Sequence, residues 1–351
     1  MNNILSNSLI TILITFIISM LIAPILIKIL YKYGVVRQTK DFSSIVGERY
    51  LKQGTPIMGG LLVVIVVSIY TLIFNWNDTT VIAISLFLIS ASLGGIDDLM
   101  NIFGKKDRIP RSVSKQILLI KVHKNYLFRI WLILTLPWNI FINIFFILGS
   151  FPGKGLQAGE KIIIQAILGG IFAYWFYIIK GIDSIWIPFY GDIYLGIVMP
   201  IFLIFTIIAM SNAVNITDGM DGLSSGTLLS SFFAFLVIAI VQNNIEIASL
   251  NSVIIGSLLA YLYFNIKPAR IEMGDVGSLA LGTILTVIAI SLDSIILLPI
   301  IGAIFVIEIG SSLIQGIYRR IFGHRLIKMA PLHLHFNIIG WSEEKTVMRF
   351  W

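Results

Sequence analysis

Two adjacent carboxylates at the end of an apolar run are the first group in this sequence that could do chemistry. Asp97 and Asp98 follow Gly94 and Gly95. Successive residues on a helix diverge by about 100°, so the two side chains are expected to play different roles. One would accept a proton or bind a cation while the other orients it. Ordinary solvated charges at a helix end are the alternative interpretation.

A second segment, residues 212–222, carries amides and carboxylates at a regular spacing. Asn215, Asp218 and Asp221 recur every three residues, with Asn212 before them. This spacing predicts roughly one face of a helix. Such groups suit hydrogen bonding to a ribose and a base, or ligation of a hard cation. Asp-Gly turns are the competing interpretation.

Two further segments could approach phosphates. Asp275 lies beside two glycines at the predicted start of a helix, where a tight backbone lets a phosphate-bound metal come close. A helix cap by Asp275 is the alternative. Lys52 precedes the glycine-rich residues 54–60, and lysine with glycine N–H groups can grip a pyrophosphate. The alternative interpretation is that the proline and glycines of this segment only start a helix.

Two of the four histidines, His333 and His335, occupy alternate positions within residues 329–337. A complete zinc site is not expected, because the chain has no cysteine and few other histidines. Contact of an imidazole with a phosphate fits better, and a surface loop with incidental histidines is the alternative. The absence of cysteine also excludes disulfides and thiolate chemistry.

The elements that must position these groups are predicted to be membrane helices. Apolar residues make up 57% of the 351 residues and charged residues 12%, against about 25% charged in soluble domains. The sequence therefore predicts an all-α polytopic membrane protein that forms one domain over residues 1–351. Nine segments qualify or nearly qualify as spans: Ile4–Ile29, Ile57–Trp76, Thr79–Ile96, Ile162–Ile182, Ile193–Met210, Leu223–Gln242, Ile247–Phe264, Gly277–Leu292 and Ile295–Gln315.

The basic residues predict the orientation. With nine crossings, twenty-four of the 25 Lys and Arg residues fall on one side, Lys180 being the exception, and basic loops stay in the cytoplasm. This distribution predicts a periplasmic N-terminus and places all the candidate segments at the cytoplasmic face. It also argues against nucleic acid as the partner, despite the net charge of +7.

Two smaller elements interrupt the series of spans. Residues 107–152 look like a cytoplasmic-side insertion. Its apolar part, Tyr126–Gly149, is predicted to be re-entrant or interfacial, because one more crossing would separate Asp97 from the later motifs. The stretch Asp183–Gly196 alternates apolar and polar residues, which predicts a small periplasmic hairpin.

Together these segments offer acidic metal ligands, amide-rich nucleotide contacts and basic phosphate-binding groups at one membrane face. That combination suits Mg²⁺-assisted phosphoryl transfer between a soluble nucleotide and a lipid phosphate. The metal is needed because two phosphate anions must approach each other.

The chain resembles the phospho-N-acetylmuramoyl-pentapeptide-transferases, within the polyprenyl-phosphate N-acetylhexosamine-1-phosphate transferase superfamily. The matching segments are GTPIMGG at 54–60, IDD at 96–98, NAVNITDGMDGL at 212–223, PARIEMGDVGSLALG at 268–282 and APLHLHF at 330–336. The resemblance implies transfer of phospho-N-acetylmuramoyl-pentapeptide from UDP to undecaprenyl phosphate. The products would be lipid I and UMP, with Mg²⁺ as cofactor, in peptidoglycan synthesis at the bacterial inner membrane. It also allows a homodimer.

Carried over to this sequence, the resemblance implies that Asp275 ligates magnesium and that Asp97 is the base acting on the lipid phosphate. The catalytic residues it implies are Asp97, Asp98, Asp275 and His333. The residues it implies for substrate binding are Lys52, Lys161, Asn212, Asn215, Asp218, Asp221 and His335.

This sequence also departs from the family pattern. Leu334 interrupts three consecutive histidines, and Asn337 stands in place of an acidic residue. Glu272 replaces a phenylalanine that would stack on uracil, and the chain reaches Trp351 without the family's tenth helix. Three other functions stay open: a polyprenyl-phosphate N-acetylglucosamine-1-phosphate transferase, a non-enzymatic polyprenyl-phosphate carrier and an inactive homologue. A carrier would be expected to have charged residues near the bilayer midplane.

Overall fold

The computed structural model describes residues 2–37, 54–103, 112–147 and 155–351, and most of them are helical. Lys52 and parts of the predicted insertion at 107–152 lie outside these ranges. The helices of the described ranges are α1 (Asn2–Lys32), α2 (Leu61–Phe74), α3 (Asp78–Phe103), α4 (Val113–Val122), α5 (Tyr126–Ile147), α6 (Ala158–Ala173), α7 (Val198–Thr217), α8 (Leu223–Val241), α9 (Ile245–Asn265), α10 (Gly274–Ser291), α11 (Leu298–Ile301), α12 (Ala303–Phe322), α13 (Leu332–Ile338) and α14 (Glu343–Phe350).

Seven helices within the described ranges are long and apolar enough to cross a membrane. They are α1, α3, α6 with its π-helical continuation to Ile179, and α7 to α10. The segments Ile295–Ile301 and Ala303–Phe322 would make an eighth span if counted together, although they bend by 79°. Helix α2 has only 14 residues, about 21 Å, which is shorter than the hydrocarbon core of about 30 Å. The polytopic all-α fold is confirmed, and the count of nine stays a prediction.

Helix α10 lies at the centre of the bundle and is buried on nearly all sides. It packs against α3 and α7, while α9 packs against α1 and α8. Glycine permits the closest of these approaches: a Cβ at Gly94 would overlap the carbonyl of Asp275, and one at Gly60 would overlap Gly277. The small residues flanking the candidate carboxylates therefore bring the end of α3 against the start of α10.

The expected hairpin forms from β1 (Ser184–Ile187) and β2 (Gly191–Tyr194), which pair antiparallel with Ile185 opposite Ile193. The Trp186 N–H donates to the carboxylate of Asp293 at 3.3 Å, which ties the hairpin to the segment after α10. The side of the membrane that the hairpin faces stays a prediction.

Helices α4 and α5 form a second hairpin, joined by polar side chains. Gln116 on α4 donates to the carbonyl of Leu132 at 2.8 Å, and its own carbonyl accepts from Asn139 at 2.6 Å. These bonds satisfy polar side chains between the two helices. The re-entrant or interfacial placement of this region, and its standing as an insertion, also stay predictions.

Candidate active site

A single ammonium group joins the two best candidate carboxylates. Lys161, in the first turn of α6, places Nζ 2.7 Å from Oδ2 of Asp97 and 2.6 Å from Oδ2 of Asp275. Asp97 is only 2% exposed, and it also accepts hydrogen bonds from the Asn101 side chain and the Leu156 N–H. Like charges this close require a cation, so Lys161 is what lets two carboxylates share the site.

Asp98 faces a different helix from Asp97. Its two carboxylate oxygens accept the N–H groups of Asp275 and Val276, each at 3.1 Å. These donors belong to the first turn of α10, which has no partners of its own for them. Asp98 therefore caps α10 from α3, and the expected divergence of the two carboxylates is confirmed. Gly274 fits beneath this carboxylate with φ +73°, where a Cβ would crowd Oδ2 of Asp98.

Asp275 is thereby freed from capping its own helix. Its Oδ1 accepts from Nδ2 of Asn215 at 2.8 Å, and the same amide nitrogen donates to the hydroxyl of Ser278 at 2.9 Å. With Lys161 on the other oxygen, the carboxylate is held from α6 and from α7. The alternative interpretation of Asp275 as a simple helix cap is wrong, since Asp98 provides the cap.

The prediction that Asn215, Asp218 and Asp221 share one helical face is wrong. Helix α7 ends at Thr217, and Asp218 and Asp221 lie in the turn that follows. Two Asp-Gly steps produce this turn, and Gly222 adopts φ +80°, a conformation that favours glycine.

The polar residues of this segment nevertheless form hydrogen bonds to neighbouring parts of the fold. Asn212 donates to Oε1 of Gln165 on α6 at 2.7 Å. Asp218 accepts from the hydroxyl of Ser224, and Asp221 accepts the Ala269 N–H at 3.1 Å. Asn212 and Asp221 therefore brace the neighbouring segments.

A cavity of about 270 Å³ opens beside this cluster. Its lining includes Asp98, Asn215, Asp218, Asp275 and Arg37. The structure thus brings together four of the predicted site residues around one space. At its edge Lys161 bonds directly to Asp275 and joins Asp97 to it. A cleft lined by convergent polar groups is the usual form of a ligand site.

An ion pair that the sequence did not predict lies at this cavity. Arg37 donates from Nε to Oε2 of Glu272 at 2.8 Å, and its Nη2 contacts the same oxygen. Glu272 is 6% exposed, whereas the Arg37 side chain is 39% exposed. Glu272, where the resembling family carries phenylalanine, therefore anchors a cation on the cavity wall. The acid in place of the family's phenylalanine was the signal in the sequence for such a partner.

His333 lies in α13 and is paired with a buried carboxylate rather than with His335. Its N–H donates to Oε1 of Glu308 at 3.0 Å, and its Nδ1 lies 2.8 Å from Oε2. Within the described ranges, no three His, Cys, Asp or Glu side chains form a group that could hold a metal ion. Alternate positions on a helix diverge by about 200°, which separates the two imidazoles. The charge of Glu308 inside an apolar run was the signal that could have found it.

The segment after α12 packs against the turn that carries Asp218. Leu334 forms an apolar cluster with Met220, Leu223 and Val347. Its place between two histidines is thus explained by burial against this turn. Among the residues that the structure describes, neither His333 nor His335 forms a hydrogen bond or an ion pair with Asp275. Met220, which packs against Leu334, lies within the Asp218–Asp221 turn.

Sequence comparison relates this chain to known proteins. The family model for glycosyl transferase family 4 matches residues 138–293. A phospho-N-acetylmuramoyl-pentapeptide-transferase of Leptospira biflexa is 32% identical over 325 residues, covering 86% of this chain and 77% of the relative. Proteins of the same name are 31% identical over 303 residues in Clostridium acetobutylicum, with 85% and 81% covered, and 32% identical over 303 residues in Bacillus pumilus, with 86% and 80% covered. The chain belongs to the phospho-N-acetylmuramoyl-pentapeptide-transferase family.

Proposed function

We propose that this protein transfers phospho-N-acetylmuramoyl-pentapeptide from its UDP derivative to undecaprenyl phosphate, releasing UMP and forming lipid I. The names of the relatives support the substrates, and the apolar helices support a membrane location for the lipid. The reaction belongs to peptidoglycan biosynthesis, at the cytoplasmic face of the bacterial inner membrane.

One observation carries the proposal: Asp97 and Asp275 share the ammonium of Lys161 at the edge of a polar cavity. Phosphoryl transfer needs charges that hold anionic groups together and neutralise the charge that develops on the oxygens. A carrier would not need acids concentrated where helices α3, α6, α7 and α10 meet. The clustering therefore favours an enzyme over a carrier.

Magnesium fits the donor set at this site as a metal that binds together with phosphates. Mg²⁺ takes one or two carboxylates and completes its coordination with waters and substrate phosphates. The described residues offer two convergent carboxylates and no closed protein cage. We assign Asp275 as the residue that holds Mg²⁺, which when bound would neutralise the charge of the diphosphate.

Other residues of the chain have separate roles in proton transfer, positioning and nucleotide contact. Asp97 accepts the proton of the lipid phosphate, and Lys161 keeps Asp97 and Asp275 in place. An oxygen of that phosphate then bonds to the phosphorus bearing the sugar, while the bond from this phosphorus to the UMP oxygen breaks. Asn215 orients Asp275 throughout, and Asp98 holds the start of α10. Asp218 and Arg37 contact the nucleotide from the cavity wall.

The test is transfer by purified protein in detergent with Mg²⁺, undecaprenyl phosphate and radiolabelled UDP-N-acetylmuramoyl-pentapeptide. The expected result is a labelled lipid and a matching amount of UMP. Labelled UDP-N-acetylglucosamine in a parallel reaction tests the related sugar. Transfer of that sugar alone would assign the chain to the other branch of the superfamily. No transfer of either sugar by folded protein would favour a carrier or an inactive homologue.

A further inference from the structure

The buried pair of Glu308 and His333 is an ionisable group that the chemistry above does not use. Glu308 is 0% exposed and His333 is 1% exposed. Glu308 lies in α12 between apolar residues, where a charge is costly unless it is paired. Both of its carboxylate oxygens are occupied by one residue, through the N–H and the ring Nδ1 of His333.

This pairing determines which ring nitrogen is left for other contacts. A carboxylate only accepts hydrogen bonds, so the proton on the ring must lie on Nδ1. The second nitrogen, Nε2, is buried and has no hydrogen-bond partner among the residues that the structure describes. A buried ring nitrogen without a partner is costly, so Nε2 is where a ligand would contribute most.

The surroundings of α13 connect this pair with the cavity. Leu334, the next residue, packs against Met220 and Leu223. Met220 lies in the turn between α7 and α8, and this turn also carries Asp218, one of the cavity-lining residues. Helix α12, which carries Glu308, packs against α7. The histidine is therefore attached to the same turn that forms one wall of the candidate site.

We infer that Glu308 is a positioning residue that holds His333 with Nδ1 protonated, so that Nε2 can accept a hydrogen bond from a hydroxyl group of the uridine nucleotide. The inference rests on the proposed function for the identity of that nucleotide. In metal sites, carboxylates that fix the orientation of a ligand histidine are worth about 10- to 100-fold in affinity or activity, and we expect a loss of the same order here. If the pair only fastened α13 to α12, its loss would cost stability and leave the turnover of folded protein unchanged.

The first experiment is spectroscopic and does not require turnover. Protein labelled with ¹⁵N-histidine gives ring signals for four histidines, and H333Q identifies the signal of interest. The expected wild-type spectrum shows His333 protonated on Nδ1, and UMP with undecaprenyl phosphate and Mg²⁺ shifts its Nε2. A ring protonated only on Nε2, or an Nε2 signal that none of these additions moves, would overturn the inference.

The second experiment measures kcat and KM for Glu308→Gln and Glu308→Asp. An amide can accept only one of the two donors of His333, so E308Q is expected to lower kcat 10- to 100-fold with little change in KM. E308D should recover part of the loss. Glu343→Gln is the matched control, because Glu343 is also buried, pairs with Lys267 at 3.6 Å and does not line the cavity. Full kcat in E308Q, with or without a lower melting temperature, would overturn the inference.

The two experiments separate this inference from the proposed function. Wild-type protein that transfers no sugar, yet shows the expected ring signal and its shift, would contradict the proposed reaction and support the pairing. Wild-type protein that transfers the sugar, with full kcat in E308Q, would support the proposed reaction and contradict the positioning role of Glu308.

Discussion

Asp98 on α3 caps the helix that carries Asp275, accepting the N–H groups of Asp275 and Val276 at 3.1 Å. The adjacent carboxylates of the chain thus divide their roles. Asp97 pairs with Lys161 in the cluster, and Asp98 aligns the backbone that presents Asp275. A substitution at Asp98 should therefore affect both the fold and the chemistry.

We expect Asp98→Asn to lower the free energy of unfolding by about 1–2 kcal/mol. The oxygen of the amide can accept one backbone N–H of α10, but its nitrogen cannot accept the other, which is left without a partner. Turnover should fall with it, since Asp275 shifts. Thermal unfolding in detergent and transfer assays measure the two effects. Asp293→Asn is a matched control, because Asp293 also accepts a backbone N–H, from Trp186 in the hairpin. Equal effects on turnover at both sites would contradict the assignment.

Removing the shared cation should be more damaging than removing one of its partners. In Lys161→Gln, Asp97 and Asp275 face each other without a positive charge. A broken buried pair costs about 3–5 kcal/mol, and turnover is expected to fall at least about 100-fold. The double variant K161Q with Asp97→Asn removes the repulsion, so it should regain stability and remain inactive. A double variant less stable than K161Q would argue against the three-way pairing.

The Arg37–Glu272 pair should influence substrate affinity more than the chemical step. Glu272→Gln keeps the shape of the side chain but removes the charge that anchors Arg37 at the cavity. We expect KM for the UDP substrate to rise about tenfold, roughly 1.4 kcal/mol, with a smaller change in kcat. Glu246→Gln, in the first turn of α9, is the control for a lost acid elsewhere. A fall in kcat without any change in KM would place Arg37 outside the substrate site.

Acid should loosen the attachment of α14. A hydrogen bond from Lys267 lowers the pKa of Glu344 from 4.5 to about 2. Because the folded-state pKa is depressed, the ion pair stabilises the fold above about pH 4.5 and loses this effect as pH falls toward 2. Glu344 is half-exposed, so the effect is small. The melting-temperature difference between wild type and Glu344→Gln should shrink between pH 6 and pH 3. A constant difference would contradict the pairing.

The residues of the site could be predicted from the sequence better than the contacts between them. Asp97, Asp98 and Asp275 could be selected because carboxylates at the ends of apolar helices are costly, and the structure joins them through α3 and α10 as expected for groups at one end of a bundle. Lys161 came only from the family resemblance. Its role as a shared counter-ion depends on where α6 begins relative to α3 and α10, which no local pattern determines.

The long-range ion pair at the cavity and the turn after α7 could not be predicted from the sequence, for physical reasons. Arg37 and Glu272 are separated by 235 positions, and charge alone does not identify which partner an acid finds. The spacing of Asn215, Asp218 and Asp221 matched a helix, yet glycines after both aspartates favour turns, and the turns prevailed. Glu308 stands as a charge inside an apolar run, which indicates a buried partner without identifying His333.

Turnover of Asp275→Ala tests the central claim most directly, since that carboxylate lies between Lys161 and Asn215 and is assigned to Mg²⁺. It is compared with wild type and with Asp293→Ala, at matched expression and melting temperature, in the labelled UDP-N-acetylmuramoyl-pentapeptide assay. The account predicts no detectable lipid product from Asp275→Ala at any Mg²⁺ concentration, with wild-type turnover from Asp293→Ala. Turnover by Asp275→Ala within tenfold of wild type would contradict it.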